Sequence, residues 1–116
     1  MAIQARSAAK RAEERIASIR TSVAVVDLLC SGTLTKRMMK CGKPNCRCAS
    51  DPDARHGPYY QWSHMRGGKR TQRYVSDQQA QILRRAIDNY GKVKELLRDW
   101  EENTERLIDA ERPRRT

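Results

Sequence analysis

Apolar residues recur in steps of four and three along the first thirty positions. Ala5, Ala9, Ala12, Ile16, Ile19, Val23, Val26 and Cys30 form one seam, the spacing of a heptad face. Ala2 to Leu29 contains no Gly or Pro and is rich in Ala, Arg and Glu, which predicts a helix. The early seam is alanine and buries little; the later seam is β-branched and stronger. Cys30 continues the seam, so it reads as a core residue. Ser31-Gly32 is the expected stop, with glycine where helices end.

The same period returns near the C-terminus. Ser76-Asp77-Gln78-Gln79 is a capping-box signature, Ser at the N-cap and Gln three residues on. From there to about Glu111, Leu83, Ala86, Tyr90, Val93, Leu97, Trp100, Thr104 and Leu107 step by three and four. Ile82, Ile87, Leu96 and Ile108 broaden the stripe. Such a helix is roughly 50 Å long. Gly91 is its weak spot, costing about 1 kcal/mol against Ala.

Between the helical patterns the period shortens to two. Thr33 to Lys40 predicts a short strand, with Met38 and Met39 on opposite faces. In Pro58 to Met65, alternation puts Tyr59, Gln61, Ser63 and Met65 on one face and Tyr60, Trp62 and His64 on the other. Arg66-Gly67-Gly68-Lys69 has the composition of a hairpin turn, and Arg70 to Val75 is the return strand. The expected fold class is α+β. Long N- and C-terminal helices form an antiparallel, coiled-coil-like hairpin around a small zinc-stabilised three-stranded module. The divisions are 1–32, 33–75, 76–111 and a basic tail, 112–116.

The chemistry sits in Cys41 to Tyr60, CGKPNCRCASDPDARHGPYY. Cys41, Cys46, Cys48 and His56 supply three thiolates and an imidazole, a tetrahedral set that suits structural Zn2+. Soft sulfur ligands argue against calcium or magnesium. Free thiols in a reducing cytosol, or a disulfide, are the competing readings; Cys46 and Cys48 are too close for an easy mutual bridge. His64 and Cys30 are rivals for the fourth position. Ala49 to Arg55 reads as a polar surface loop. A chain with no Phe and one-third charged residues cannot bury a large core, so a bound metal would supply folding free energy.

Charge sharpens the picture. Residues 34–75 hold ten Lys/Arg against two Asp, while 76–116 hold nine of each sign. A basic block beside a neutral flank is an electrostatic footprint for a polyanion, although a solvated basic surface gives the same counts. Lys36, Arg37, Lys40, Lys43, Arg47 and Arg55 are candidate phosphate contacts. Arg66, Lys69, Arg70 and Arg73 cluster on the hairpin, which as a two-stranded ribbon fits a DNA major groove. Tyr59, Tyr60 and Trp62 are alternative stacking partners for single-stranded bases, at least two of them being better suited to the core.

The runs CGKPNCRC and HGPYY, with the GGK turn and RYV, resemble a small uncharacterised bacterial and archaeal family whose members are often called transposase-like. The likeness covers Gly32 to Tyr90 and implies a cysteine-rich module in a mobile-element or phage setting. There is no H-x-E near the cysteines, no P-loop and no Gly-x-Ser-x-Gly, and a complete Cys3His shell leaves no open position for a reacting water. The expected function is therefore non-enzymatic nucleic-acid binding, DNA in the first instance, with no small-molecule substrate. The alternative is an adapter that works through its helices. In either case Leu83, Tyr90, Val93, Leu97, Trp100 and Leu107 are candidate interface residues for a homodimer. The N-terminal stretch has no apolar h-region and no run spans a bilayer, so a cytoplasmic location without membrane contact is expected.

Overall fold

The computed structural model describes residues 2–111, with side chains from Arg6 onward. Its elements are helix α1 (Ala2–Ala24), strands β1 (Thr33–Met39), β2 (His56–Arg66) and β3 (Lys69–Val75), and helix α2 (Asp77–Ala110). Two 3-10 turns, Arg47–Ala49 and Pro52–Ala54, lie between β1 and β2. The seam residue Ala5, at the level of its side chain, and the basic tail 112–116 lie outside the described residues. The fold is α+β, two helices with a three-stranded antiparallel sheet between them in sequence, in the order β1-β2-β3. Among the described residues no helix is long and apolar enough to cross a membrane.

The chain divides into two compact units. One comprises residues 1–27 and 89–116, the other 28–88. In the helical unit, α1 and the later part of α2 are joined in opposite directions. Arg15 Nε donates to Asp99 Oδ2 at 2.8 Å, and Asn89 Nδ2 to Asp27 Oδ1 at 3.2 Å. Ala12, Ile19 and Val93 are buried there, with Tyr90, Leu96, Trp100 and Leu107 half-buried. The stripe departs from the expected one in its middle. Leu97 and Thr104 are exposed, and Leu96 and Asn103 point inward instead. The inward positions Val93, Leu96, Trp100, Asn103 and Leu107 still step by three and four, but Leu96 and Asn103 each lie one residue before the expected position. Asn103 is buried but satisfied: its Nδ2 donates to Asp99 O and Oδ1, both at 2.8 Å, and its Oδ1 accepts from Arg106.

Helix α1 stops earlier than its seam. It ends at Ala24, where Thr21, Val23, Val25 and Val26 concentrate β-branched residues that lose side-chain freedom in a helix. Cys30 is therefore half-buried in a non-helical stretch, where its backbone N–H donates to Ala86 O at 3.2 Å. Gly32 is not a helix cap. It has φ +117°, and a Cβ there would lie 2.4 Å from Ser63 O and 2.8 Å from Trp62 Nε1. The entry to β1 requires glycine because the backbone presses against β2.

In the sheet unit, β2 is central. Its pairing with β1 runs from Thr33↔Ser63 to Arg37↔Tyr59, then resumes at Met39↔His56. Two steps along β1 thus match three along β2, a bulge that contains the cis Gly57–Pro58 bond. Proline in a central strand is tolerated only where the ladder is interrupted. Pairing of β2 with β3 covers Tyr60↔Val75 to Arg66↔Lys69. Tyr60, Trp62, His64 and Val75 are half-buried on one face. There Trp62 Nε1 donates to Ser31 O, and Arg84 of α2 lies 5.1 Å over the Tyr60 ring. α2 opens on this side with the expected reciprocal box: Gln79 N donates to Ser76 Oγ at 3.1 Å, and Ser76 N to Gln79 Oε1 at 2.8 Å.

Candidate functional site

The two residues after β1 and the first residue of β2 bring the metal-type ligands together. Met39 pairs with His56, so Cys41, two residues beyond Met39, emerges beside the imidazole. The chain then turns through Lys43–Cys46, closed by Cys46 N to Lys43 O at 3.1 Å. A 3-10 turn carries Cys48 back inward, where it is fully buried. Asp51 caps the next turn by accepting from Asp53 N, and Arg47 lies 3.4 Å from the Asp51 carboxylate. The expected polar loop is thus ordered by its own side chains.

The ligand atoms of Cys41, Cys46, Cys48 and His56 all lie within 4.8 Å of one another. Cys48 Sγ is 3.5 Å from Cys41 Sγ, and Cys46 Sγ is 3.1 Å from His56 Nε2. Metal–sulfur bonds of about 2.3 Å at tetrahedral angles put sulfurs about 3.8 Å apart, so these separations suit one shared ion. The backbone N–H of Cys41 donates to Cys48 Sγ at 3.3 Å, a support of the kind that orients metal thiolates. The rivals do not take part. His64 is stacked on Trp62, 3.6 Å between ring centroids, with the Thr71 hydroxyl 3.2 Å from its Nδ1. Cys30 is not in the group.

The thiols are electrostatically unequal. Cys46 is held below its ordinary value, first by the Cys48 backbone N–H, then by hydrogen bonds from the Cys48 and Cys41 side chains. For Cys48 the largest influence, the Cys41 N–H, is also lowering. Burial and the neighbouring Cys46 and Cys41 sulfurs together outweigh it and push the thiol up. Cys46 therefore ionises before Cys48, and an incoming metal displaces the remaining protons.

The sheet register sorts the basic residues. Arg66, Lys69 and Arg73 fall on the half-buried face, Arg73 with its guanidinium 5.4 Å over the Trp62 ring. Lys36, opposite Tyr60, shares that face. Arg37 and Arg70 fall on the other, with Tyr59, Gln61, Ser63, Met65, Gln72 and Tyr74. Lys40, Lys43, Arg47 and Arg55 are exposed along the cysteine loop. The four hairpin bases thus do not form one cluster, because a two-residue period sends neighbours to opposite faces. Tyr59 and Tyr74 are 44% and 53% exposed, with ring centroids 6.3 Å apart. Tyr74 had no part in the candidate stacking set. The register counted back from the Gly67-Gly68 turn sets Tyr74 opposite Gln61 and so beside Tyr59.

The profile of a protein family described as Domain of unknown function (DUF6788) matches residues 3–85. The chain belongs to this family. The DUF6788 match takes in α1, the sheet, the whole cysteine loop and the opening turns of α2, and its description assigns no activity. Neither a curated protein nor a solved structure matches the chain. In this DUF6788 member the metal-type quartet is thus the most specific chemistry the structure offers.

Proposed function

We propose that this DUF6788 protein is a zinc-stapled nucleic-acid-binding module, DNA being the first candidate, that performs no catalysis. One observation carries the reading. None of the three strands contains an acidic residue, and the open face of the sheet presents Arg37 and Arg70 among exposed tyrosines and amides. A sheet free of carboxylates attracts phosphates without local opposition. Zinc is the metal favoured by three thiolates and one imidazole, and a full shell of protein ligands supports a structural role. The motif resemblance adds a mobile-element or phage setting.

The test is an affinity titration of the zinc-loaded protein against random duplex and single-stranded oligonucleotides at two salt concentrations. Protein purified without chelator should carry about one zinc per chain. Affinity should fall steeply with salt, with a log–log slope of roughly −3 or more negative for several phosphate contacts. No binding at low salt would overturn the proposal.

A second reading has one observation in its favour. Leu97 and Ile108 are 46% and 65% exposed on α2, and Leu97 and Trp100 line a depression with Glu101, Thr104 and Glu105. Coiled-coil pairing through this stripe would make the protein a dimeric adapter. Sedimentation of wild type and Leu97→Asp separates the readings: a dimer dissociated by the substitution supports the adapter, and a monomer removes it.

A further inference from the structure

We infer that the end of the open sheet face beside the metal ligands is a stacking subsite for an unpaired nucleobase, so that the preferred ligand is single-stranded. The inference rests on the nucleic-acid reading above and specifies its substrate. Met39, Lys40, Tyr59 and Tyr74 line a depression of about 350 Å³, at the small end of ligand sites. Its walls are mostly apolar and aromatic. The two rings meet edge to face, at 68°, which leaves at least one face of each uncovered by the other. The Tyr74 hydroxyl donates to Met39 Sδ at 3.4 Å, an edge contact that leaves the faces of the ring to a ligand. Aromatic faces receive bases of any sequence, each stacked base being worth a substantial share of affinity.

The charges around the depression identify what accompanies the ring. Lys40 forms part of the wall, and Arg37 is opposite Tyr59 in the β1–β2 register. A cationic ligand would meet two like charges here, whereas a base attached to phosphates meets two partners. Arg70 lies at the other end of the face, opposite Met65, about 20 Å along β2. A strand laid along the face would thus have cations at both ends.

Duplex DNA fits less well. Reading base pairs needs free polar side chains in the middle of the face, and those side chains are tied to one another. Arg37 Nη1 donates to Gln61 Oε1 at 3.4 Å, Gln61 Nε2 donates to Gln72 Oε1 at 3.3 Å, and Arg70 Nε donates to Ser63 Oγ at 3.0 Å. The depression also offers little to distinguish a ribose 2′-hydroxyl. Deoxy and ribo strands should therefore bind within a few-fold of each other.

The experiment is fluorescence anisotropy of the full zinc-loaded chain with labelled oligothymidylate, oligouridylate and a duplex of the same length at low salt. The single strands should bind roughly tenfold more tightly than the duplex. Tyr59→Leu and Tyr74→Leu should each lose roughly tenfold on the single strands, with zinc content and circular dichroism unchanged, while Tyr59→Phe and Tyr74→Phe retain affinity. A preference for duplex, or leucine variants that keep their zinc and bind as wild type does, would overturn the stacking subsite and leave the broader reading standing. A difference of more than about fiftyfold between the deoxy and ribo strands would overturn the account of the lining. Failure of every oligonucleotide to bind would instead remove the nucleic-acid reading itself.

Discussion

The two units of the chain are held together by different kinds of chemistry. The helical unit depends on generic burial: Ala12, Ile19 and Val93 in a seam, with Arg15–Asp99 and the Asn103 amide fixing polar positions. Its charges nearly cancel, with twelve Lys/Arg against ten Asp/Glu. The sheet unit holds twelve against four. Among the described residues it buries as many side chains as the helical unit, Cys48 and the α2 residues Ala80, Leu83 and Ala86, but three of the four belong to α2 and none to the strands. Its arrangement rests on specific points: four metal-type ligands, a bulge, and a glycine where backbones touch. Burial tolerates exchange between similar residues, whereas a ligand or a contact glycine does not.

The largest expected effect comes from metal removal. A chelator, or Cys48→Ser, should abolish hydrogen-exchange protection across Thr33–Val75, because metal binding free energy of about 10 kcal/mol or more is part of folding in small metal modules. Protection around Ile19 and Val93 should survive. Simultaneous loss of both would show a single cooperative fold and break the comparison. Acid should act in the same direction. Each ligand must bind the metal deprotonated, so affinity falls as pH drops, and the depressed Cys46 thiol is reprotonated after the raised Cys48 thiol.

A single type of substitution should next give opposite signs in the two units. Gly32→Ala in the sheet unit places a Cβ 2.4 Å from Ser63 O at φ +117°, and should cost about 3 kcal/mol. Gly91→Ala in α2 meets nothing within 4 Å, and should stabilise by about 1 kcal/mol. Denaturant melts of the zinc-loaded variants measure both. A neutral Gly32→Ala would mean that β1 enters the sheet with slack.

What was legible in the sequence follows the same division. Both helices, all three strands and the capping box could be read because each depends on a local period or spacing. The quartet could be read because Cys41, Cys46 and Cys48 fall within eight residues. The end of α1 could not, since the heptad seam continues to Cys30 while the Cys30 N–H is drawn to Ala86 O. The inward turn of Leu96 and Asn103 is a one-residue change of phase within the same three–four spacing, and spacing alone does not choose the phase. The Tyr59–Tyr74 pair was within reach of the sequence, since counting back from the Gly67-Gly68 turn sets Tyr74 opposite Gln61 and diagonal to Tyr59. Tertiary packing decided the other two.

The strand order carries a further consequence, one of solubility. With β1-β2-β3 as the whole sheet, β1 and β3 are both edges, and unpaired edges are templates for aggregation. Lys36 and Arg37 sit mid-strand on one edge, and Lys69, Arg70 and Arg73 along the other. These side chains repel the approach of another sheet, so they act as gatekeepers whether or not a polyanion is present. Stripping them all to alanine to abolish binding would also expose two adhesive edges. Replacing them with glutamate removes the attraction for phosphate and keeps the edges guarded.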